Sequence, residues 1–314
     1  MTEHIAAREA YGLALLELGK QRSDFVVLEA DLSASTRTVY FGEEFPERYY
    51  DCGVAEMNMM GMAAGLAASG ITAVANTFSV FSSMKTCEQV RTFICYPDLN
   101  VKIVSTHAGL DVGEAGVTHQ AIEDVAIMRA FPNMKVISPA DGLETATALK
   151  TMLETPGPAY LRLGRSDLPD IHPEGYEFQF GHSVHLRDGS DVTIIATGIA
   201  VGFALDAAGL LADSGISSGV INMSSLKPVD QGALSKVSQS SRLLVTVEDH
   251  SIIGGLGSAV LEALAEHPGA PVLRLGLQDV FGESGKPEDL FSKYQIDAHG
   301  ISAQVKNYLA NMGS

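Results

Sequence analysis

Glu56 is the only charged residue in residues 53–84, a stretch that opens GVAEMNMMGMAAGLAASG and stays uncharged from Met57 to Met84, where Lys85 ends it. An ionised carboxylate buried in so apolar a segment is expensive. It needs a polar partner, or it is kept for chemistry. The plain alternative is a first-turn carboxylate favoured by the helix dipole, worth a few tenths to ~1 kcal/mol. His107 and His119 flank a loop with Gly109, Gly113 and Gly116 in THAGLDVGEAGVTHQAIED. A long glycine-rich loop between a strand and a helix often carries function. Each histidine alone reads equally as a structural hydrogen-bonding group or as a catalytic one. YLRLGRSD puts Arg162 and Arg165 at a strand end. One arginine suits a surface salt bridge; two near the mouth of a sheet suit an anion. Phe78 and Phe81, spaced i, i+3, read as core aromatics. The GGLG of EDHSIIGGLGSA is either a phosphate-binding turn or tight packing at a helix start.

The elements that must hold these residues alternate. FVVLEADL, TAVANTF, NVKIVSTH, MKVISPA and PAYLRLG are short apolar runs, with helical patterns between them such as AAREAYGLALLELGK, THQAIEDVAIMRAF and ADGLETATALKTMLE. This alternation implies an α/β fold with a mostly parallel sheet covered on both faces. Ligands in such sheets sit at the carboxyl ends of the strands. Asp31, Phe78, His107 and Arg165 fall at or just beyond such ends. Residues 166–191, broken by Pro169, Pro173, Gly175, Gly181 and Gly189, read as a linker. The alternation then restarts with VTIIATG, AVGFALDAAGLLADSG, SSGVINM, RLLVTVEDH and GGLGSAVLEALAEH, which makes a second, smaller α/β domain. The expected boundaries are 1–180 and 181–314.

Composition narrows the function classes. The 314 residues are 46% hydrophobic and 19% charged, ordinary for a globular protein. The formal net charge of −17 argues against nucleic acid and anionic lipid as partners. An anionic substrate therefore needs a local basic cluster. Cys52, Cys87 and Cys95 have no metal-ligand spacing, and so sparse a set suggests reduced thiols and a cytoplasmic home. The N-terminal MTEHIAAREAYG lacks the apolar core of a signal peptide. The uncharged run after Glu56 reads as a buried helix, a glycine turn and a buried strand rather than a membrane span.

Taken in order, DCGVAEMNMMGMAAGLA, NTFSVFSS, THAGLDVGEAGVTHQAIED, ISPADGLE and YLRLGRSDLP resemble the transketolase family, and VTVEDHSIIGGLGSAV resembles that family's C-terminal domain. The likeness runs from Arg8 onward and matches the second half of an ordinary transketolase. The GDG…N motif of the first half, which binds the cofactor diphosphate through a divalent metal, has no counterpart here. The resemblance therefore implies one subunit of a split, two-gene transketolase. Its cofactor is thiamine diphosphate, with Mg2+ or Ca2+ held mainly by an N-terminal partner subunit, in an α2β2 heterotetramer.

The resemblance also implies roles. Glu56 matches the glutamate that hydrogen-bonds the cofactor's pyrimidine ring and favours the imino tautomer, whose nitrogen takes the proton from the thiazolium carbon. Phe78 and Phe81 match aromatics packed on the pyrimidine, and Asp31 an aspartate near the thiazolium. His119 matches a histidine that contacts the reacting oxygens. Arg8, Ser35, His107 and Arg165 match residues that grip a sugar phosphate. The implied reaction is transfer of a two-carbon ketol unit from a ketose phosphate to an aldose phosphate. Three positions depart from the pattern. Ala115 replaces an aspartate that reads a substrate hydroxyl, Met57 a Gln or His, and Met84 a tyrosine. Asp111, on the same loop, is a candidate to replace the missing acceptor. Related alternatives are the β subunit of a 2-oxoacid dehydrogenase and a deoxyxylulose-phosphate-synthase-like enzyme; a further one is a non-catalytic regulatory subunit.

Overall fold

The computed structural model describes residues 5–266 and 268–312. The apolar runs of the first half form a seven-stranded sheet in the order Ser225–Lys227, Lys135–Ile137, Ala159–Arg162, Val101–Thr106, Thr72–Phe78, Phe25–Glu29, Tyr49–Asp51. All neighbours are parallel except the first pair. Every residue of Phe25–Glu29 and Val101–Thr106 is buried, as expected for strands covered on both faces. The helix Ala7–Gln21 turns Ala7, Tyr11, Leu15 and Leu18 to one side and buries them. It packs on the helix Gly142–Glu154, whose N-cap Asp141 accepts the Glu144 N–H at 2.7 Å. A Cβ on Gly142 would lie 2.5 Å from Ile5, so this approach requires glycine.

A second, five-stranded sheet runs Val272–Leu277, Leu243–Ser251, Val192–Ala196, Ser218–Asn222, Val184–Arg187, parallel except for the last pair. The two units are joined by more than packing. The strand Ser225–Lys227 belongs to the second half of the chain yet pairs with Lys135–Ile137 of the first sheet. Beside it, the Glu144 carboxylate accepts from Asn222 Nδ2 at 2.9 Å, Ser224 Oγ at 2.6 Å and Tyr176 OH at 2.8 Å. A buried carboxylate satisfied this fully fixes one arrangement of the two units.

Residues 166–191 are less irregular than the sequence suggests. They contain Asp167–Leu168, antiparallel to Ile5–Ala6, and the edge strand Val184–Arg187. The helix expected from Thr118 begins only at Asp124. Before it the chain forms a tight turn, Leu110–Ala115, with Gly113 and Gly116 at φ of 71° and 76°. Contacts with the second unit hold this loop against the helical pattern: Gln120 Nε2 donates to the Glu283 carbonyl at 2.9 Å, and a Cβ on Gly116 would lie 2.3 Å from Ser284 Oγ. Among the described residues, no helix is long and apolar enough to cross a membrane.

Candidate functional site

The parallel strands end at one edge of the first sheet, and their exits carry the chemistry. Thr72–Phe78 ends on Phe78, Val101–Thr106 leads into His107, Phe25–Glu29 leads to Asp31, and Ala159–Arg162 leads to Arg165. Phe81 opens a π-helical turn, Phe81–Lys85. Hydroxyls compete there for the turn's carbonyls: Ser83 Oγ and Thr86 Oγ1 donate to the Ser79 and Ser82 carbonyls, each at 2.6 Å. Wide turns of this kind recur at functional sites because they re-aim a side chain.

Four rings converge. The Phe78 ring lies 3.9 Å from the His107 ring, centroid to centroid, and 6.0 Å from Phe81, with the two phenylalanines only 13° from parallel. His119 meets Phe81 edge-on at 5.6 Å and Phe78 at 6.3 Å. The two phenylalanines are thus a platform between two imidazoles, not the core pair that their spacing suggested.

Glu56 opens the helix Glu56–Ala68 and is 2% exposed. Its polar partner is Lys85, whose Nζ pairs with Oε2 and lies 5.8 Å from the Phe81 ring centroid. Among the described residues, none donates a hydrogen bond to Oε1, which leaves that oxygen open to a donor.

A basic cluster lies beyond His107. Arg8, from the first turn of Ala7–Gln21, donates to the Ser35 carbonyl at 3.3 Å. Arg8 and Arg165 line one cavity of about 380 Å3 together with Asp111, Glu114 and Lys286. Burial, then Arg37 and Arg165, lower the Arg8 pKa. Burial, reinforced by Arg8, Arg165 and His119, lowers His107 to about 3. Glu288 also lines the cavity, so its three cations face three carboxylates, while Arg8 and Arg165 still repel each other. With its pKa so lowered, the His107 ring is neutral at ordinary pH. Its NMR resonances are expected not to titrate between pH 5 and 8; a midpoint near 6.5 would contradict the burial. The unfolded chain takes up this proton near pH 6.5 and the folded chain only near 3, so neutral His107 costs stability as pH falls through that window.

Two other expectations are corrected, and one open choice is decided. Arg162 is neither at the surface nor free for an anion. It is 7% exposed, its Nε lies 2.9 Å from Asp124 Oδ2, and its Nη2 donates to the Asp249 carbonyl at 2.8 Å. Asp111 is not available as a replacement acceptor. It is fully buried, and its Oδ2 accepts the backbone N–H groups of Arg165 and Ser166, the latter at 2.9 Å. The GGLG turn is packing rather than a phosphate cradle, because the Glu248 carboxylate already accepts the Leu256 and Gly257 N–H groups at 2.6 and 2.9 Å. Asp31 is exposed, has φ of 61°, and is tied through its N–H to Asp51 Oδ1 at 3.1 Å; none of its contacts reaches the ring cluster. Lys85, the partner of Glu56, carries no expectation from its sequence. For Lys85 the signal was its place as the first charge after the long neutral run.

The chain matches the transketolase pyrimidine-binding domain over residues 3–170 and the transketolase C-terminal domain over residues 181–301. It belongs to the transketolase family. A putative transketolase C-terminal section of Methanocaldococcus jannaschii is 48% identical over 95% of this chain and 94% of its own length. A 6-deoxy-6-sulfo-D-fructose transketolase subunit of Clostridium sp. is 41% identical over 94% of this chain and 91% of its own. A solved structure described as a split gene transketolase, an inactive β4 tetramer, superposes with a TM-score of 0.89 at 46% identity, covering 98% of this chain and 99% of that one. The chain is thus a transketolase-family subunit of the split-gene, C-terminal type. Membership implies the thiamine diphosphate dependence typical of transketolases. The residues present fit one end of that cofactor: an aromatic platform beside a carboxylate oxygen without a partner suits a flat heteroaromatic ring with a protonated nitrogen.

Proposed function

We propose that this transketolase subunit catalyses thiamine-diphosphate-dependent transfer of a two-carbon ketol unit from a ketose phosphate to an aldose phosphate. It does so with an N-terminal partner subunit that holds the cofactor's diphosphate and its Mg2+ or Ca2+, in an α2β2 assembly in the cytoplasm. Residues 1–180 act as the pyrimidine-binding domain and 181–314 as the C-terminal domain. The observation that carries this reading is the convergence of Phe78, Phe81, His107 and His119 into one ring cluster, with the Glu56–Lys85 pair beside Phe81 and with Arg8 and Arg165 close enough to act on His107.

The bound cofactor supplies the nucleophilic carbon that carries the two-carbon unit. The chain's own residues do the rest. Glu56 Oε1 holds the proton at the pyrimidine ring nitrogen, with the low surrounding dielectric strengthening that bond. Phe78 and Phe81 would orient the ring; Asp31 has the thiazolium side only from the family resemblance. His119 exchanges hydrogen bonds with the substrate's reacting oxygens. Arg8, Ser35, His107 and Arg165 hold the phosphate; a dianion is matched by two guanidiniums and a neutral imidazole. Val54, Met57, Met84, Phe93 and Tyr96, from the segments that also carry Glu56 and Phe81, are exposed apolar side chains. Such side chains suit a protein partner.

Because the diphosphate carries most of the cofactor's charge, the chain alone is expected to bind thiamine diphosphate weakly. Calorimetry on the isolated chain with Mg2+ tests this, and tight binding at micromolar cofactor would overturn it. Sugar preference rests on the loop end. Ala115 is exposed, and Asp111 is held too firmly to take the place of the missing aspartate. Ala115→Asp is expected to sharpen selectivity between acceptors of opposite hydroxyl configuration by about 1–3 kcal/mol, the scale of one hydrogen bond to a charged group. An unchanged ratio would show that position 115 does not read the substrate.

A further inference from the structure

The loop between His107 and His119 carries three glycines at positive φ, and its own bonds, such as Gly116 N–H to the Gly113 carbonyl at 3.1 Å, hold only its later part. Its start is held from the second unit. Asp249, at the carboxyl end of the inner strand Leu243–Ser251, is 3% exposed. Its Oδ1 accepts the Leu110 N–H at 2.8 Å, and its Oδ2 lies 3.4 Å from the Asp111 nitrogen. The fit leaves no slack, since a Cβ on Gly109 would lie 2.1 Å from Asp249 Oδ2. Asp111 repeats the device one step on. Its Oδ2 accepts the N–H groups of Arg165 and Ser166, and a Cβ on Gly164 would lie 2.4 Å from it. The Arg165 guanidinium closes the circuit by donating to the Val112 carbonyl at 3.1 Å. Asp249 is itself held in place, because Arg162 donates to its carbonyl at 2.8 Å while pairing with Asp124.

We infer that Asp249 is a positioning residue for the substrate's anionic group, acting through Asp111 on Arg165, so that the second domain sets the geometry of an anion site built in the first. The inference rests on the sugar-phosphate reading above. It requires no contact between Asp249 and substrate. Two buried carboxylates, each spanning a pair of backbone N–H groups, turn a glycine-rich loop into a rigid bracket. Losing the first leaves the second attached to a loop free to shift, and an arginine displaced by about 1 Å no longer meets its anion squarely.

In the reconstituted complex, Asp249→Ala is expected to raise KM for a ketose phosphate roughly 10-fold, on the scale of losing one charge-assisted hydrogen bond, with kcat little changed. The double variant Asp249→Ala/Arg165→Ala should be no worse than Arg165→Ala alone, because both act on one contact. Asp249→Asn should recover part of the loss, since its Oδ1 still accepts from Leu110. Additive losses, or a fall in kcat with KM unchanged, would overturn the inference. Hydrogen exchange on the isolated chain gives an activity-free reading. In Asp249→Asn, which keeps the shape of the side chain, the amides of Arg165 and Ser166 should exchange faster although Asp249 touches neither; unchanged protection there overturns the relay. Should Arg165→Ala leave KM for phosphorylated donors unaltered, the phosphate reading has failed, and the exchange result still decides the relay.

Discussion

Glu56→Gln is expected to lower turnover of the reconstituted complex by at least ~100-fold, the usual scale for removing an acid–base partner. The amide keeps the shape of the side chain and its contact with the ring nitrogen, so cofactor affinity should fall less than turnover. What it loses is the ability to hold a proton at that nitrogen as a charged acceptor. The substitution also removes the charge that pairs with Lys85. Glu56 is buried at the first residue of its helix, Lys85 engages only Oε2, and Oε1 is open. A variant with near wild-type turnover would reduce Glu56 to a helix-end charge paired with Lys85. Turnover measured at saturating cofactor separates the chemical effect from any loss of binding.

The second large effect concerns the anion cavity. Arg165→Ala and His107→Ala should each raise KM for phosphorylated sugars by roughly 10- to 150-fold, corresponding to about 1.5–3 kcal/mol for a hydrogen bond to a charged group. Free sugars should be affected little, because they offer nothing to these side chains. Burial, and secondarily the neighbouring arginines, lowers both Arg8 and His107, and a bound dianion would offset the charge part of that effect. Steady-state kinetics with xylulose and xylulose 5-phosphate provide the comparison. Equal losses on both would assign the two residues to the scaffold.

Much of this arrangement is legible from residue order because a parallel sheet delivers its loops to one edge. The strands Phe25–Glu29, Thr72–Phe78 and Val101–Thr106 announce themselves as buried apolar runs, and their exits carry Asp31, Phe78 and His107. Side-chain direction is legible only where the strand period is followed through. Arg162 and Arg165 are three residues apart, and the earlier one faces inward to Asp124 while the later one reaches the cavity. Contacts across long sequence separations leave no local trace. Nothing near Asp249 foretells that it holds residues 110 and 111, and nothing near Gln120 foretells Glu283. For the same reason the expected helix at Thr118 starts late, since tertiary contacts outweigh a periodic pattern. The three-residue strand Ser225–Lys227 is too short for periodicity to reveal, and it joins a sheet that the sequence assigns to the other domain.

The central claim is that this chain is half of a catalyst whose cofactor site is completed by another subunit. The most direct test mixes the purified chain with a separately prepared N-terminal transketolase subunit, thiamine diphosphate and Mg2+. Two-carbon transfer from a ketose phosphate to an aldose phosphate is followed as the subunit ratio is varied. Neither subunit alone should turn over, and activity should rise with added chain to a plateau at equal numbers of the two. Ketol transfer by the chain alone would contradict the account, as would a mixture inert toward ketose phosphates that instead processes pyruvate with a lipoyl domain.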